Sequence, residues 1–263
     1  MTRATPASTA SDTAGLSGPQ DLARALLAAR EAPTGARLVP IAKVPALSMQ
    51  DAYEVQRHVA RATGAIGAFK VARKPDQPSI LAPIFTKDIV DAPAHFPART
   101  FSRIGVELEL AFRVISPLPD PADADFASRA RDCLSLLPVI EVVDSRLDDL
   151  DAPATLKLAD NQLNGTLVLG PDLRDWQQIS TTSADAFLRF DDQVILDGPT
   201  PVPGQDAYDS FCELARIVTP VHGALQVGQI VITGSLNGLP YVPAGTAVEG
   251  RIAGLGEVSV KFD

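Results

Sequence analysis

Glu107 and Glu109 stand two residues apart in a run where Val106, Leu108, Leu110, Phe112 and Val114 alternate with Glu107, Glu109, Ala111 and Arg113. A period of two is that of a β-strand, whose residues i and i+2 project from one face with Cα atoms about 7 Å apart. Two carboxylates placed in this way can converge on one cation. Hard ions such as Mg²⁺ take oxygen ligands and keep several waters, so two or three carboxylates leave positions open for an oxygen-rich substrate. Glu141 offers the third acid. Val139, Ile140, Val142 and Val143 flank it, and an unpaired charge in so apolar a strand is costly. An antiparallel strand with one wet face shows the same alternation, and on residue types alone Glu107 and Glu109 fit that description equally well. Glu141 moves the balance toward a site, because apolar residues on both sides of an acid are not the pattern of a solvated edge.

Lys70 is the single cation of the stretch Ile66-Gly67-Ala68-Phe69-Lys70-Val71-Ala72. Buried near carboxylates it would serve as a general acid or base; on an edge strand it would snorkel to water, which residue type alone favours. Other signatures are missing. The chain has no HExxH, no Walker A loop and no GxSxG elbow, and His58, His95 and His222 are scattered. Gly254-Leu255-Gly256 falls between two expected strands and reads as a turn, not a dinucleotide fingerprint. Asp144-Ser145-Arg146 and Asp160-Asn161 read as turn chemistry.

The elements that must position these groups follow from periodicity. Residues 19–31 carry Leu22, Leu26 and Leu27 at helical spacing, and residues 48–63 carry Ala52, Val55 and Val59, with Ser48 as N-cap and Asp51 completing a capping box. Pro75, Pro78, Pro83, Pro93 and Pro97 make the next stretch a loop-rich arm with residues 80–84 extended. Residues 125–137 read as a helix ended by Pro138, followed by a strand over 139–143. Short β-rich runs follow at 167–169, 187–190, 194–196, 230–233, 247–252 and 258–262, with one helix over 207–217. The expected organisation is a disordered tail over 1–17, an N-terminal helical and loop-rich arm over 18–99, and a β-rich catalytic core over 100–263.

Composition narrows the class. The 263 residues are 46% hydrophobic and 21% charged, enough for one well-cored domain, and 23 Lys plus Arg against 32 Asp plus Glu leave a net charge of −9. That sign disfavours nucleic acid and anionic membrane surfaces as partners. Cys133 and Cys212 show no CxxC spacing, which argues for a reducing compartment, and no run of about 18 apolar residues is present. The Ser- and Thr-rich first residues lack an apolar segment, so the cytoplasm is expected.

Taken in order, Gly67-Ala-Phe-Lys70-Val71, Glu107-Leu-Glu109, Glu141-Val-Val-Asp-Ser-Arg146, Asp160-Asn161, Val168-Leu-Gly170 and Thr233-Gly-Ser235 form a series. It resembles the 2-keto-4-pentenoate hydratase group of the fumarylacetoacetate hydrolase superfamily, from about Asp51 to the C-terminus. The resemblance implies an α+β fold, a mixed β-sandwich roll flanked by helices with a small helical N-terminal part. It also implies Mg²⁺ or Mn²⁺ as cofactor, a homo-oligomer, and a metal-dependent hydratase acting on a 2-hydroxy-2,4-dienoate in aromatic catabolism. By the same likeness Glu107, Glu109 and Glu141 are metal ligands, Lys70 is catalytic, and Asn161 and Ser235 lie near the substrate. One departure concerns substrate choice: where the well-characterised hydratases carry an acid after a proline and then a glycine, Pro83 is followed by Ile84, Phe85 and Thr86. A 2-oxo-acid decarboxylase of the 4-oxalocrotonate type or an acylpyruvate hydrolase would use the same scaffold, and a catalytically silent subunit paired with a decarboxylase of the same fold is the reading from another class.

Overall fold

In the computed structural model, residues 15–32 and 38–263 are described. Two helices come first. In α1 (Pro19–Glu31) proline occupies the first turn, where its missing N–H costs nothing, and Leu22, Ala23 and Leu26 are buried. In α2 (Met49–Thr63) the Ser48 side chain accepts from the Asp51 amide while the Asp51 carboxylate accepts from the Ser48 amide, the reciprocal box expected from the sequence, and Ala52, Val55 and Val59 are buried. Of the expected tail, residues 1–14 lie outside the described residues, whereas the Leu16 amide donates to the Lys43 carbonyl at 3.0 Å.

The chain then enters β1 (Ile66–Ala72), β2 (Ile80–Phe85), β3 (Ile89–Asp91) and β4 (Ala94–Phe96), and continues through β5 (Gly105–Val114), α3 (Phe126–Ala130), β6 (Leu134–Val143), α4 (Ala154–Ala159) and β7 (Asn164–Leu169). It ends with β8 (Ser183–Phe190), β9 (Gln193–Pro201), α5 (Ala207–Ile217), α6 (Thr219–His222), β10 (Ile230–Ser235), β11 (Ala247–Ile252) and β12 (Gly256–Phe262). Seven strands form one sheet in the order β2-β1-β10-β5-β6-β7-β3, and five form a second in the order β4-β12-β11-β8-β9. The two ends of the larger sheet, β2 and β3, are separated in sequence only by the turn Thr86–Asp88. One stretch of chain therefore joins both edges, and the sheet closes on itself as a roll.

Alternation along the strands gives this roll two different faces. Ala68, Ile84, Ala111, Val139, Leu167 and Ile232 form a buried cluster on the inner one. Phe69, Leu108, Phe112, Ile140, Val168 and Val231 share the main core with residues of the smaller sheet and of α5. The sheets approach closely where Gly250 faces Leu108: a Cβ there would lie 2.9 Å from Leu108 Cδ1, so the leucine side chain would have to shift to admit it. Truncating fully buried Leu108 to alanine would cost about 2–5 kcal/mol. A separate cluster joins α1, α2 and α4 to Phe85, Val143 and Leu147. The architecture is α+β, a mixed-sheet roll with flanking helices.

Two local expectations are corrected. The helix expected over 125–137 is only α3 plus a 3-10 turn at Arg131–Cys133, and the strand begins at Leu134 and runs through Pro138 to Val143. All ten residues of β6 are buried, so the near-continuous apolar run belongs to a strand covered on both faces, which has no alternation to read. Pro138 is tolerated because it faces Leu110 just beyond the last residue of β6 paired with β7, while its carbonyl still accepts from the Gly170 amide at 2.9 Å. The loop-rich stretch before residue 99 contains four strands, and β1 lies between β2 and β10, not at an edge. Pro83 fits in β2 because that strand is laddered on one side alone.

Candidate active site

Pairing register brings the acids together. Glu107 sits opposite Glu141 in the β5–β6 ladder, and Glu109 follows two residues along on the same inner face. One carboxylate oxygen from each of Glu107, Glu109 and Glu141 lies within 4.8 Å of the others. Glu109 and Glu141 are buried and Glu107 is half-buried. Lys70 reaches the same point from β1, its Nζ donating to both Glu141 oxygens at 2.7 Å and to the Gln162 carbonyl at 3.1 Å. Asn164 Nδ2 donates to Glu141 Oε1 at 2.9 Å, and the Gly234 amide donates to Glu109 Oε2 at 2.6 Å. The edge-strand reading of Lys70 is thereby excluded: its ammonium is buried against an acid, with its three N–H donors all engaged.

The electrostatics are those of an incomplete balance. Three carboxylates and one ammonium sum to −3 + 1 = −2 in a buried volume. Burial, together with Glu141, pushes Glu107 up to about 7 against the pull of Lys70 and a hydrogen bond from Ser235. Burial and the two neighbouring acids hold Glu109 well above the usual carboxylate range. For Lys70, burial acts downward, yet Glu141, Glu107 and Glu109 outweigh it and hold the ammonium above its ordinary value. An oxygen-only donor set with a deficit of two positive charges fits a hard divalent cation such as Mg²⁺ or Mn²⁺.

The two residues expected near a substrate differ in kind. Asn161 is buried with neither side-chain atom hydrogen-bonded, which marks a polar group prepared for a partner the protein does not supply. Ser235 lies opposite Glu109 in the β10–β5 ladder, and its hydroxyl donates to the Gly238 carbonyl at 2.6 Å, so that carbonyl competes with Glu107 for the single hydroxyl proton.

Residues that sequence reasoning left as turn chemistry, or missed, form the site's wall. Asn161, Gln162 and Leu163 all have left-handed backbone, at φ 50, 49 and 62°. Such a conformation costs about 1–2 kcal/mol for each residue bearing a Cβ. Arg146 pins this turn at both ends. Its Nε and backbone amide donate to the Asp160 carboxylate at 2.6 and 3.0 Å, Nη2 to the Asp160 carbonyl at 2.8 Å, and Nη1 to the Asn164 carbonyl at 2.6 Å. The signal available in sequence was the Asp-Ser-Arg and Asp-Asn pairs; Gln162 and Asn164 gave none.

No protein-family model matches the chain. Among curated proteins, it is 31% identical over 126 residues to "2-keto-4-pentenoate hydratase 2" of Dechloromonas aromatica (strain RCB), an alignment spanning 48% of each chain. It is 28% identical over 258 residues to "2-keto-4-pentenoate hydratase 1" of the same organism, across 92% of this chain and 96% of that one. Both relatives are named 2-keto-4-pentenoate hydratases, and the likeness to them is modest in identity. The chain thus spans about half the length of the first relative and nearly all of the second. Among solved structures, the fold matches 4-oxalocrotonate decarboxylase from Pseudomonas putida G7, complexed with magnesium and adipate, at a TM-score of 0.78 and 18% identity, covering 93% of this chain and 97% of that one. At that identity the likeness shows the fold alone, and it is the α+β mixed-sheet roll that the residue series had implied.

Proposed function

We propose that the protein is a divalent-metal-dependent hydro-lyase that adds water to a 2-hydroxy-2,4-dienoate, through its 2-oxo-4-enoate form, in the cytoplasmic breakdown of aromatic compounds. The observation that carries this reading is the convergence of Glu107, Glu109 and Glu141 around Lys70 at a buried deficit of two charges. Similarity to named hydratases supports the choice of reaction.

In this reading Glu107, Glu109 and Glu141 hold Mg²⁺ or Mn²⁺. A bound cation supplies Lewis acidity toward the carboxylate and 2-oxygen of the substrate. Lys70 carries the mobile proton at Nζ, kept on the nitrogen by the acids around it and oriented by Glu141 and the Gln162 carbonyl. Asn161 offers both a donor and an acceptor to substrate oxygens, and Ser235 a hydroxyl beside Glu107. Beyond the acids and Lys70, the inner face carries the apolar cluster of Ala68, Ile84, Ala111, Val139, Leu167 and Ile232. No covalent intermediate is required.

Decarboxylation would use the same residues and is the second reading. Carbon–carbon hydrolysis calls for a base to activate water, and the three histidines pair elsewhere: His58 with Glu54 at 3.6 Å, His95 with Asp263 at 3.9 Å, and His222 with Gln56 at 3.1 Å. The deciding experiment is turnover of a panel of 2-oxo acids with Mg²⁺, with products analysed for water addition, CO₂ loss or cleavage. Hydration predominating supports the proposal; CO₂ release without hydration replaces it by the second reading.

A further inference from the structure

We propose that Gln162 is a specificity-determining residue whose side-chain amide donates a hydrogen bond to an oxygen of the 2-oxo-acid head group. The inference rests on the metal and 2-oxo-acid reading of the Glu cluster given above.

Three observations lead to it. First, Gln162 Nε2 is buried and has no hydrogen-bond partner, and neither side-chain atom of adjacent Asn161 has one. Buried donors are nearly always paired in folded proteins, so unpaired ones beside a site point to a partner that arrives with the ligand. Second, the Gln162 carbonyl accepts from Lys70 Nζ, whose remaining donors go to Glu141. The residue's backbone is thus fixed within a side chain's reach of the acids. Third, the left-handed turn at Asn161–Leu163 is maintained against its own preference by the Arg146 clamp. The clamp engages the main chain at Asp160 and Asn164 and the Asp160 carboxylate, and leaves the Asn161 and Gln162 side chains unserved. Strain held by surrounding structure beside a candidate site is the usual mark of a group oriented for function.

The chemistry of the amide selects its partner. A carboxamide N–H₂ seeks an oxygen acceptor and carries no charge. A substrate that brings its own carboxylate to a wall of acids is assisted by a neutral donor. A further acid at this position would repel it, and a further lysine would compete with the cation.

The test measures two affinities by titration calorimetry on wild type, Gln162→Met and Gln162→Gly: that for Mn²⁺ alone, and that for oxalate, an analogue of an enolised 2-oxo acid, at saturating Mn²⁺. Both variants should bind Mn²⁺ within about twofold of wild type and oxalate roughly 3–10-fold more weakly, the value of one hydrogen bond. Gln162→Gly should also melt higher than wild type, because glycine adopts a left-handed conformation without penalty. A gain in melting temperature with a loss of oxalate affinity separates a recognition role from a structural one, and the glycine variant decides the matter should the methionine variant fold poorly. Equal oxalate affinity in wild type and both variants overturns the inference while leaving the metal reading intact. Loss of Mn²⁺ binding in both variants also overturns it, by making Gln162 part of the metal site. Failure of wild type to bind Mn²⁺ refutes the reading of the Glu cluster itself.

Discussion

Replacing Lys70 by methionine deletes one charge while keeping most of the side-chain volume, and the consequence is set by what that charge faces. Its Nζ lies 2.7 Å from both oxygens of Glu141, a residue with no solvent exposure, and its pull also acts on Glu107 and Glu109. Without the ammonium the formal balance of the fully ionised cluster moves from −2 to −3, and Glu107 and Glu109, already raised, lose the cation that opposes their protonation. Removing one partner of a buried ion pair costs about 3–5 kcal/mol, because the remaining charge stays desolvated. For a chain of this length about 1 kcal/mol corresponds to roughly 2–4 °C, so the variant in chelator should melt about 6–20 °C below wild type. A divalent cation contributes two positive charges to the same carboxylates, so Mg²⁺ should raise the melting temperature of the variant by more than it raises that of wild type. Turnover distinguishes the two roles of the lysine. If Lys70 only balances charge, Mg²⁺ restores both melting temperature and kcat; if it moves the proton, Mg²⁺ restores the melt while kcat stays lower by about 10² or more. Parallel thermal melts and kcat determinations on one preparation, with chelator and with Mg²⁺, read both quantities. A variant with wild-type melting in chelator and wild-type kcat would refute both the charge argument and the catalytic one.

Glu109→Gln should abolish the Mg²⁺-dependent rise in melting temperature and the activity together while leaving the far-ultraviolet circular dichroism spectrum unchanged; retained activity would remove Glu109 from the metal site. Gly170→Ala places a Cβ 2.7 Å from Pro138 Cγ and 2.9 Å from the Pro138 carbonyl, and should cost about 1–3 kcal/mol in urea unfolding, since both neighbours belong to a buried strand. His222 is held down to about 4 by burial and by Arg57, below its ordinary 6.5. A group depressed in the folded state contributes stability that is complete above pH 6.5 and is lost as pH falls toward 4, so His222→Asn should flatten the loss of stability over that window, by up to about 3 kcal/mol in denaturant titrations. An identical pH slope in the variant would show that His222 is not the group responsible.

How much of this was legible in the chain depended on the distance over which each feature is determined. The helices at residues 19–31 and 207–217 and the capping box at Ser48 are written in local spacing, and the structure reproduces them. The Glu107 and Glu109 pair was legible for the same reason, and Glu141 because a charge among valines has few cheap explanations. The helix expected over 125–137 failed where Leu134–Val143 is buried on both faces, since full burial removes the alternation that separates strand from helix. Lys70 was ambiguous because its environment is 71 residues away at Glu141 and 92 away at Gln162. Nothing near position 70 could have separated a snorkelling lysine from a buried one.

Closure of the roll explains the remainder. Because β2 and β3 bound the two ends of one sheet across a three-residue turn, β1 and β7 are joined through them, which delivers Lys70 and the Asn161–Asn164 segment to the same acids. The proline-punctuated stretch that looked like a loop is thus the element that closes the site. The energetic demand runs the same way. A buried −2 cluster and three left-handed residues oppose folding by several kcal/mol. They are sustained by a fully buried core on the roll's outer face and by Arg146, whose donors reach Asp160 and Asn164. Relieving either burden by substitution should stabilise the chain at the expense of its site. That opposition is what a functional site predicts, and a structural accident does not.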